Sequence, residues 1–254
     1  MLSCFGFYVL LFLIAFLFGT IPWGVIISRA FYHTDVREHG SGNIGTTNAM
    51  RTLGKVGGSA VFILDFGKGV LAGVIATLFA SQVLTDLTAL RELCIATGIT
   101  GPNPDDTAVL FRTTQICLSI AFLGCIWGHI FSPWLKFKGG KGIAATSGIA
   151  IGFLDWRVAL IVLGLFVFCV VVTKYVSVGS ICLVLGLLVS YTIFAYTGSY
   201  GFTSDSMKLE SCIVLGLITL LAIYRHKQNI VRLIKGTENK FSLKGRNKTT
   251  EEQA

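Results

Sequence analysis

Charge is scarce in this chain. Asp, Glu, Lys and Arg make up only 13% of its 254 residues, 53% are hydrophobic, and mean hydropathy is +0.74. Soluble domains carry about 25% charge, so this composition cannot furnish a water-facing shell. Proline is rare, with four in all, and the 29 glycines follow no collagen-like period. Disordered and fibrous classes are therefore excluded. The seven cysteines, an odd number lying mostly in or beside apolar runs, do not suggest a disulfide framework. No spacing of His, Cys, Asp and Glu fits a metal site, so neither metal nor cofactor is expected. No nucleic-acid-binding module is recognisable. What the chain does have is long apolar runs and a net charge of +8, from 21 basic and 13 acidic residues.

Crossing a bilayer core takes about 20 apolar residues in a helix. Seven apolar stretches are candidates: Phe5–Ile27, Val56–Ala80, Ala108–Phe131, Ile143–Leu154, Trp156–Thr173, Val178–Thr197 and Leu209–Tyr224. The expectation is an all-α, polytopic membrane protein of about seven helices. Ile143–Leu154 is the short member, and it either spans or re-enters with the helix after Asp155. The first stretch lacks a basic leader and an A-x-A cleavage site, so it is expected to remain as a helix. Residues 1–235 read as one transmembrane domain and 236–254 as a basic, solvated tail that can brush anionic lipid.

The basic residues divide unevenly between the two sets of connections. Sixteen lie in the loops Ser28–Lys55 and Ser132–Gly142, near Tyr175, and beyond Tyr224, against four in the opposite set. By the positive-inside rule the N-terminus lies outside and the C-terminus in the cytoplasm. Topology thus accounts for most of the net charge.

Four clusters on the predicted inner side need a further explanation. The first runs His39-Gly-Ser-Gly-Asn-Ile-Gly-Thr-Thr-Asn-Ala-Met-Arg51. Its glycines Gly42 and Gly45 let backbone N–H groups turn toward an anion, while Ser41, Asn43, Thr46, Thr47 and Asn48 supply polar side chains. Arg51 adds a bidentate phosphate contact. The second, Phe137-Lys-Gly-Gly-Lys-Gly142, places Lys138, Gly139, Gly140, Lys141 and Gly142 ahead of a helix start, a plausible phosphate cradle. Neither has the spacing of a P-loop. The third, Leu64-Asp-Phe-Gly-Lys-Gly69, sets Asp65 and Lys68 three apart on one helical face, either facing a polar site or forming a buried ion pair. In the fourth, Arg225-His-Lys-Gln-Asn229, His226 and Asn229 share a face; His129 lies beside the glycine–lysine turn. Together they predict one anion-binding site at the inner membrane surface, walled by apolar helices.

These motifs, in this order, resemble those of the acyl-phosphate:glycerol-3-phosphate acyltransferases, the bacterial PlsY family. The matching segments are Ser41-Gly-Asn-Ile-Gly-Thr-Thr-Asn48 with Arg51, Leu64-Asp-x-x-Lys-Gly69, Gly128-His with Phe137–Thr146, Tyr175-Val-Ser-Val-Gly-Ser180 and Arg225-His-x-x-Asn-Ile-x-Arg232. The polar segment Asp86–Thr107 and the C-terminal tail are longer than the family pattern, and Lys174 stands where Arg is expected.

The resemblance implies acyl transfer from acyl phosphate to the 1-hydroxyl of glycerol 3-phosphate, giving lysophosphatidic acid and phosphate, at the bacterial plasma (inner) membrane. No nucleophilic cysteine is needed, because a mixed anhydride is already activated. The chain also lacks the His-x-x-x-x-Asp motif of thioester-dependent acyltransferases. By this resemblance the catalytic set is Ser41, Arg51, Lys141, His226 and Asn229. Substrate contacts are expected from Gly42, Asn43, Gly45, Thr46, Thr47, Asn48, Lys68, His129, Lys138, Gly139, Gly140, Gly142 and Ser177. The expected partners are the two substrates and membrane lipid, with no nucleic acid and no obligatory protein partner. The alternative class is an organophosphate anion transporter.

Overall fold

The computed structural model describes residues 4–83, 106–153, 156–198 and 205–241. Apart from its last two residues, the polar segment Asp86–Thr107 lies outside the described residues, as do the link at Asp155 and the tail beyond Phe241. Every long element among the described residues is an α-helix: α1 (Cys4–Thr20), α2 (Trp23–Tyr32), α3 (Thr46–Val83), α4 (Asp106–Ile130), α5 (Ile143–Phe153), α6 (Trp156–Thr173), α7 (Val176–Tyr196), α8 (Asp205–Arg225) and α9 (Lys227–Ile234).

Five segments are long and apolar enough to cross a membrane, and six if the bent pair α8–α9 counts as one. α5 has 11 residues and extends about 16 Å at 1.5 Å per residue, too little for a full bilayer core. Leu17, Phe168 and Leu220 project outward, 58%, 65% and 65% exposed. An apolar exterior of this kind suits hydrocarbon, and the chain is a multi-pass membrane protein.

Two breaks depart from the simple reading of the apolar runs. The first run is interrupted at Ile21–Pro22, where proline removes an N–H and restricts the residue before it. The freed carbonyls are recaptured: Lys68 Nζ donates to Gly19 O at 3.1 Å and Ile21 O at 3.2 Å, and Ser132 Oγ donates to Thr20 O at 2.7 Å. The second break is at Gly54 in α3, whose φ of 77° separates a short first segment carrying Arg51 from the long span.

Close helix packing depends on glycine where the spacing of small residues anticipates it. A Cβ on Gly124 would meet Phe12 O at 2.7 Å, and one on Gly128 would meet Phe16 O at 2.2 Å, both across the α1–α4 contact. Gly69 packs likewise on Ala145 O, and Gly73 on the Phe153 ring, so α5 is held against α3. The main core lies between α4, α5, α6, α7 and α8, with Ile126, Ile149, Val162, Leu187 and Ile218 buried in it. This arrangement brings the loop after α2, the turn before α5, the start of α7 and the α8–α9 break to one end of the bundle.

Candidate active site

A cavity of about 390 Å³ opens where those four segments meet. Ser41, Asn43, Gly45, Thr46, Thr47, Asn48, Arg51, His129, Lys141, Gly142, Ser177, His226 and Asn229 all line it, with Asp65, Glu238 and Phe241. Its apolar wall includes Phe62, Ile151, Leu163, Phe166 and Leu183, from α3, α5, α6 and α7. Ile151 and Leu163 are also exposed on the outer surface, 45% and 46%. The polar end therefore continues into an apolar flank facing the exterior.

The loop before α3 is built locally. Asp35 accepts hydrogen bonds from Arg37 and Arg29 and so stays well below the usual carboxylate range, with the Arg37 contact dominant and burial opposing it. Asn43 Oδ1 accepts from Gly45 N–H at 2.9 Å, the Asx turn that leads into α3. Asn48 is buried and fully engaged. Its Oδ1 accepts from Ser41 N–H at 2.8 Å, and its Nδ2 donates to Val36 O and His39 O. It shapes the loop with both ends of its amide. Thr46 Oγ1 is buried without a hydrogen-bond partner in a residue lining the cavity, so it remains available to a ligand. Arg51 donates to Asn239 O at 3.3 Å, which leaves most of its guanidinium donors uncommitted there.

Across the cavity, Lys141 Nζ donates to Asn229 Oδ1 at 2.5 Å, and Asn229 Nδ2 donates to Glu238 Oε1 at 2.6 Å. Arg232 Nε donates to Glu238 Oε2 at 2.7 Å and closes the chain. Burial lowers the Lys141 pKa to about 8; Arg232, Arg51 and Arg225 add to the fall, and Glu238 opposes it. Burial raises Glu238, but hydrogen bonds from Asn229 and Arg232 prevail and hold it below its usual value. His226 is 1% exposed, and its Nδ1 lies 2.7 Å from Ala222 O. A carbonyl accepts only, so Nδ1 carries the proton, and Nε2 of the neutral ring is an acceptor. The α5 N-terminus also faces the cavity through Gly142, Ile143 and Ala144, and the first N–H groups of a helix have no partner within it.

Several expected substrate contacts lie elsewhere. Lys68 is 4% exposed, pairs with Asp65 at 2.8 Å, and caps the broken end of α1; it does not line the cavity. Lys138 is exposed and also outside the lining, as is Gly42. Gly139 and Gly140 donate their N–H groups to Ile130 O and His129 O at 3.0 and 3.1 Å, so these amides form no open cradle. A Cβ on Gly140 would stand 2.1 Å from His129 Nε2, which explains glycine there by close packing.

The sequence motifs did not include Glu238 or Phe241, and they named Arg225 without giving it a role of its own. Residues 236–241 fold back so that Glu238 and Phe241 line the cavity: Thr237 N–H donates to Arg232 O at 2.8 Å and Phe241 N–H to Lys174 O at 2.6 Å. Glu238 stands out in the sequence only as an acidic residue four positions past α9 in an otherwise basic segment, which does not reveal its partners.

The model of a family described as glycerol-3-phosphate acyltransferase matches residues 9–236. A glycerol-3-phosphate acyltransferase of Chlorobaculum tepidum is 33% identical over 247 residues, covering 92% of this chain and 96% of that protein. Glycerol-3-phosphate acyltransferase 2 of Lactobacillus johnsonii is 36% identical over 232 residues, covering 91% and 87%. Two crystal structures of PlsY, an integral membrane glycerol 3-phosphate acyltransferase, have the same fold. The glycerol 3-phosphate form superposes with a TM-score of 0.66 at 27% identity, covering 92% of this chain and 96% of that one. The lysophosphatidic acid form gives 0.61 at 28% identity, covering 93% and 96%.

Proposed function

The chain belongs to the glycerol-3-phosphate acyltransferase family, and from that membership we propose that it transfers an acyl group from acyl phosphate to the 1-hydroxyl of sn-glycerol 3-phosphate. The products are lysophosphatidic acid and inorganic phosphate. The supporting observation is the convergence of Arg51, Lys141, His226 and Asn229, from three distant segments, on one cavity with an apolar flank. Phosphate-bearing head groups fit the cationic end, and an acyl chain fits the flank. The transporter alternative gains no support from these relatives.

The hydroxyl oxygen attacks the acyl carbonyl carbon, the carbon–oxygen bond to phosphate breaks, and phosphate leaves with that electron pair. Arg51 and Lys141 clamp the phosphate groups and stabilise the charge developing on the leaving oxygens. Ser41, Thr46, Thr47 and the α5 N-terminal amides complete the anion contacts, with Ser177 at the same wall. Asn229 holds Lys141 and, with His226, orients the acceptor. The hydroxyl proton passes to His226 Nε2 or to a substrate phosphate oxygen, whose second pKa is about 6.

The loop after α2 and the ends of α4, α6 and α8 contribute to this cavity, and the positive-inside reading of the sixteen basic residues supports a cytoplasmic side for it. We therefore place the site in the cytoplasm, the N-terminus outside and the C-terminus inside, in a bacterial inner membrane. Since Lys141 and Ser177 both reach the polar end of the cavity, α5 leads away from that end and α6 returns to it, a two-limbed unit. The test is purified protein with glycerol 3-phosphate and either acyl phosphate or acyl thioester. Transfer from acyl phosphate is expected; transfer from neither donor would reject the reading.

A further inference from the structure

The turn that carries Lys141 is gripped from two sides. On one side lie His129 and Ile130, whose carbonyls accept the Gly140 and Gly139 N–H groups, with the His129 ring where a Gly140 side chain would stand. On the other side is Arg225, reached across 85 and 86 residues of sequence. Its Nη2 donates to Gly139 O at 2.6 Å and its Nε to Gly140 O at 3.2 Å. Arg225 is the last residue of α8, and the next residue, His226, opens the 54° bend into α9. A single guanidinium thus joins two elements of the site, one supplying Lys141 and the other His226 with Asn229. Arg225 itself does not line the cavity.

We propose that Arg225 is a positioning residue for the acyl transfer described above. Its planar fork fixes the Gly139–Gly140–Lys141 turn in register with α9, so that Lys141 meets a phosphate already aligned with His226. The Lys141–Asn229 contact of 2.5 Å depends on that register, since it spans the same two elements. A lysine at 225 would keep the charge but, as a point donor on a flexible stem, could not hold two successive carbonyls in one plane. Arg225 sets affinity for the phosphate-bearing acceptor without touching it.

This inference rests on the acyltransferase reading, so wild-type activity is measured beside every variant. Arg225→Lys, Arg225→Ala and Lys235→Gln are purified in detergent, and folded yield, melting temperature, kcat and KM for glycerol 3-phosphate are recorded. Lys235 is exposed and serves as the charge control. Arg225→Lys is expected to raise KM about 10- to 100-fold while kcat changes far less and melting is preserved. Ethylguanidinium added to Arg225→Ala is expected to lower KM, and Lys235→Gln to behave as wild type. An unchanged KM in Arg225→Lys would overturn the proposal. So would kcat, KM and melting temperature worsening together with no chemical rescue. A wild-type protein that transfers no acyl group would instead defeat the underlying reading.

Discussion

Lys141 Nζ and Asn229 Oδ1 lie 2.5 Å apart although 88 residues separate them in sequence. An ammonium has three donors and an amide oxygen accepts only, so this contact fixes one direction of Lys141 and leaves two for a substrate phosphate. Asn229→Ala is therefore expected to lower kcat/KM by about 100-fold, comparable with loss of a catalytic hydrogen-bond donor. Lys141→Ala should cost at least as much. The double variant should be scarcely worse than Lys141→Ala, because the two act as a unit. Costs that multiply in the double variant would show that the contact is incidental.

The same lysine makes a pH prediction. Its pKa, lowered by burial to about 8, leaves it charged below that value and increasingly neutral above it. kcat/KM for glycerol 3-phosphate should fall as pH rises through about 8. Unfolding does not explain such a fall: between about 8 and its ordinary value of 10.5, the unfolded chain binds this proton more tightly, so the group favours the folded state as pH rises. Lys141→Arg should move the inflection out of the accessible range, even if it lowers the rate. An alkaline limb unchanged in Lys141→Arg would assign it to another group.

Arg51 and Lys141 were legible in the sequence because glycine-rich polar segments flanked by cations are uneconomical as mere connectors in a membrane protein. Which cations serve the site was not legible. The i,i+3 spacing puts Asp65 and Lys68 on one face, but the carbonyls that Lys68 caps are exposed by a proline 46 positions earlier. Lys138 and Lys141 look equivalent in the same turn; backbone bonds to His129 and Ile130 direct only the second into the cavity. Gly139 and Gly140 resemble a phosphate cradle, whereas close approach to His129 is what requires them. Glu238 read as tail, since nothing local reveals that Arg232 and Asn229 await it.

Glycine substitutions separate packing from tolerance. A Cβ on Gly128 would lie 2.2 Å from Phe16 O, a backbone atom that cannot rotate away, whereas Gly164 has nothing within 4 Å. Gly128→Ala should separate α1 from α4 and sharply lower folded yield and melting temperature. Gly164→Ala should be neutral, or stabilising by up to about 1 kcal/mol from helix propensity. Equal melting temperatures for the two would refute the close-contact geometry.

Arg51 should require its planar fork. Arg51→Lys keeps charge but loses bidentate phosphate recognition, so KM for glycerol 3-phosphate or the acyl donor should rise about tenfold or more, with the fold unaffected at this exposed position. Full activity in Arg51→Lys would remove it from the clamp.

Lys68 should behave in the opposite way from Arg51, as a stabiliser rather than a ligand contact. It is buried, paired with Asp65 at 2.8 Å, and donates to two carbonyls freed at the α1 break. Lys68→Gln leaves the Asp65 carboxylate without its counter-charge, and breaking a buried pair from one side costs about 3–5 kcal/mol. Melting of the purified protein should drop accordingly, while the fraction that remains folded keeps a KM for glycerol 3-phosphate close to wild type. Combining Lys68→Gln with Asp65→Asn should recover part of the loss, because no uncompensated charge then remains. A many-fold rise in KM for glycerol 3-phosphate at unchanged melting temperature would place Lys68 in the binding site after all.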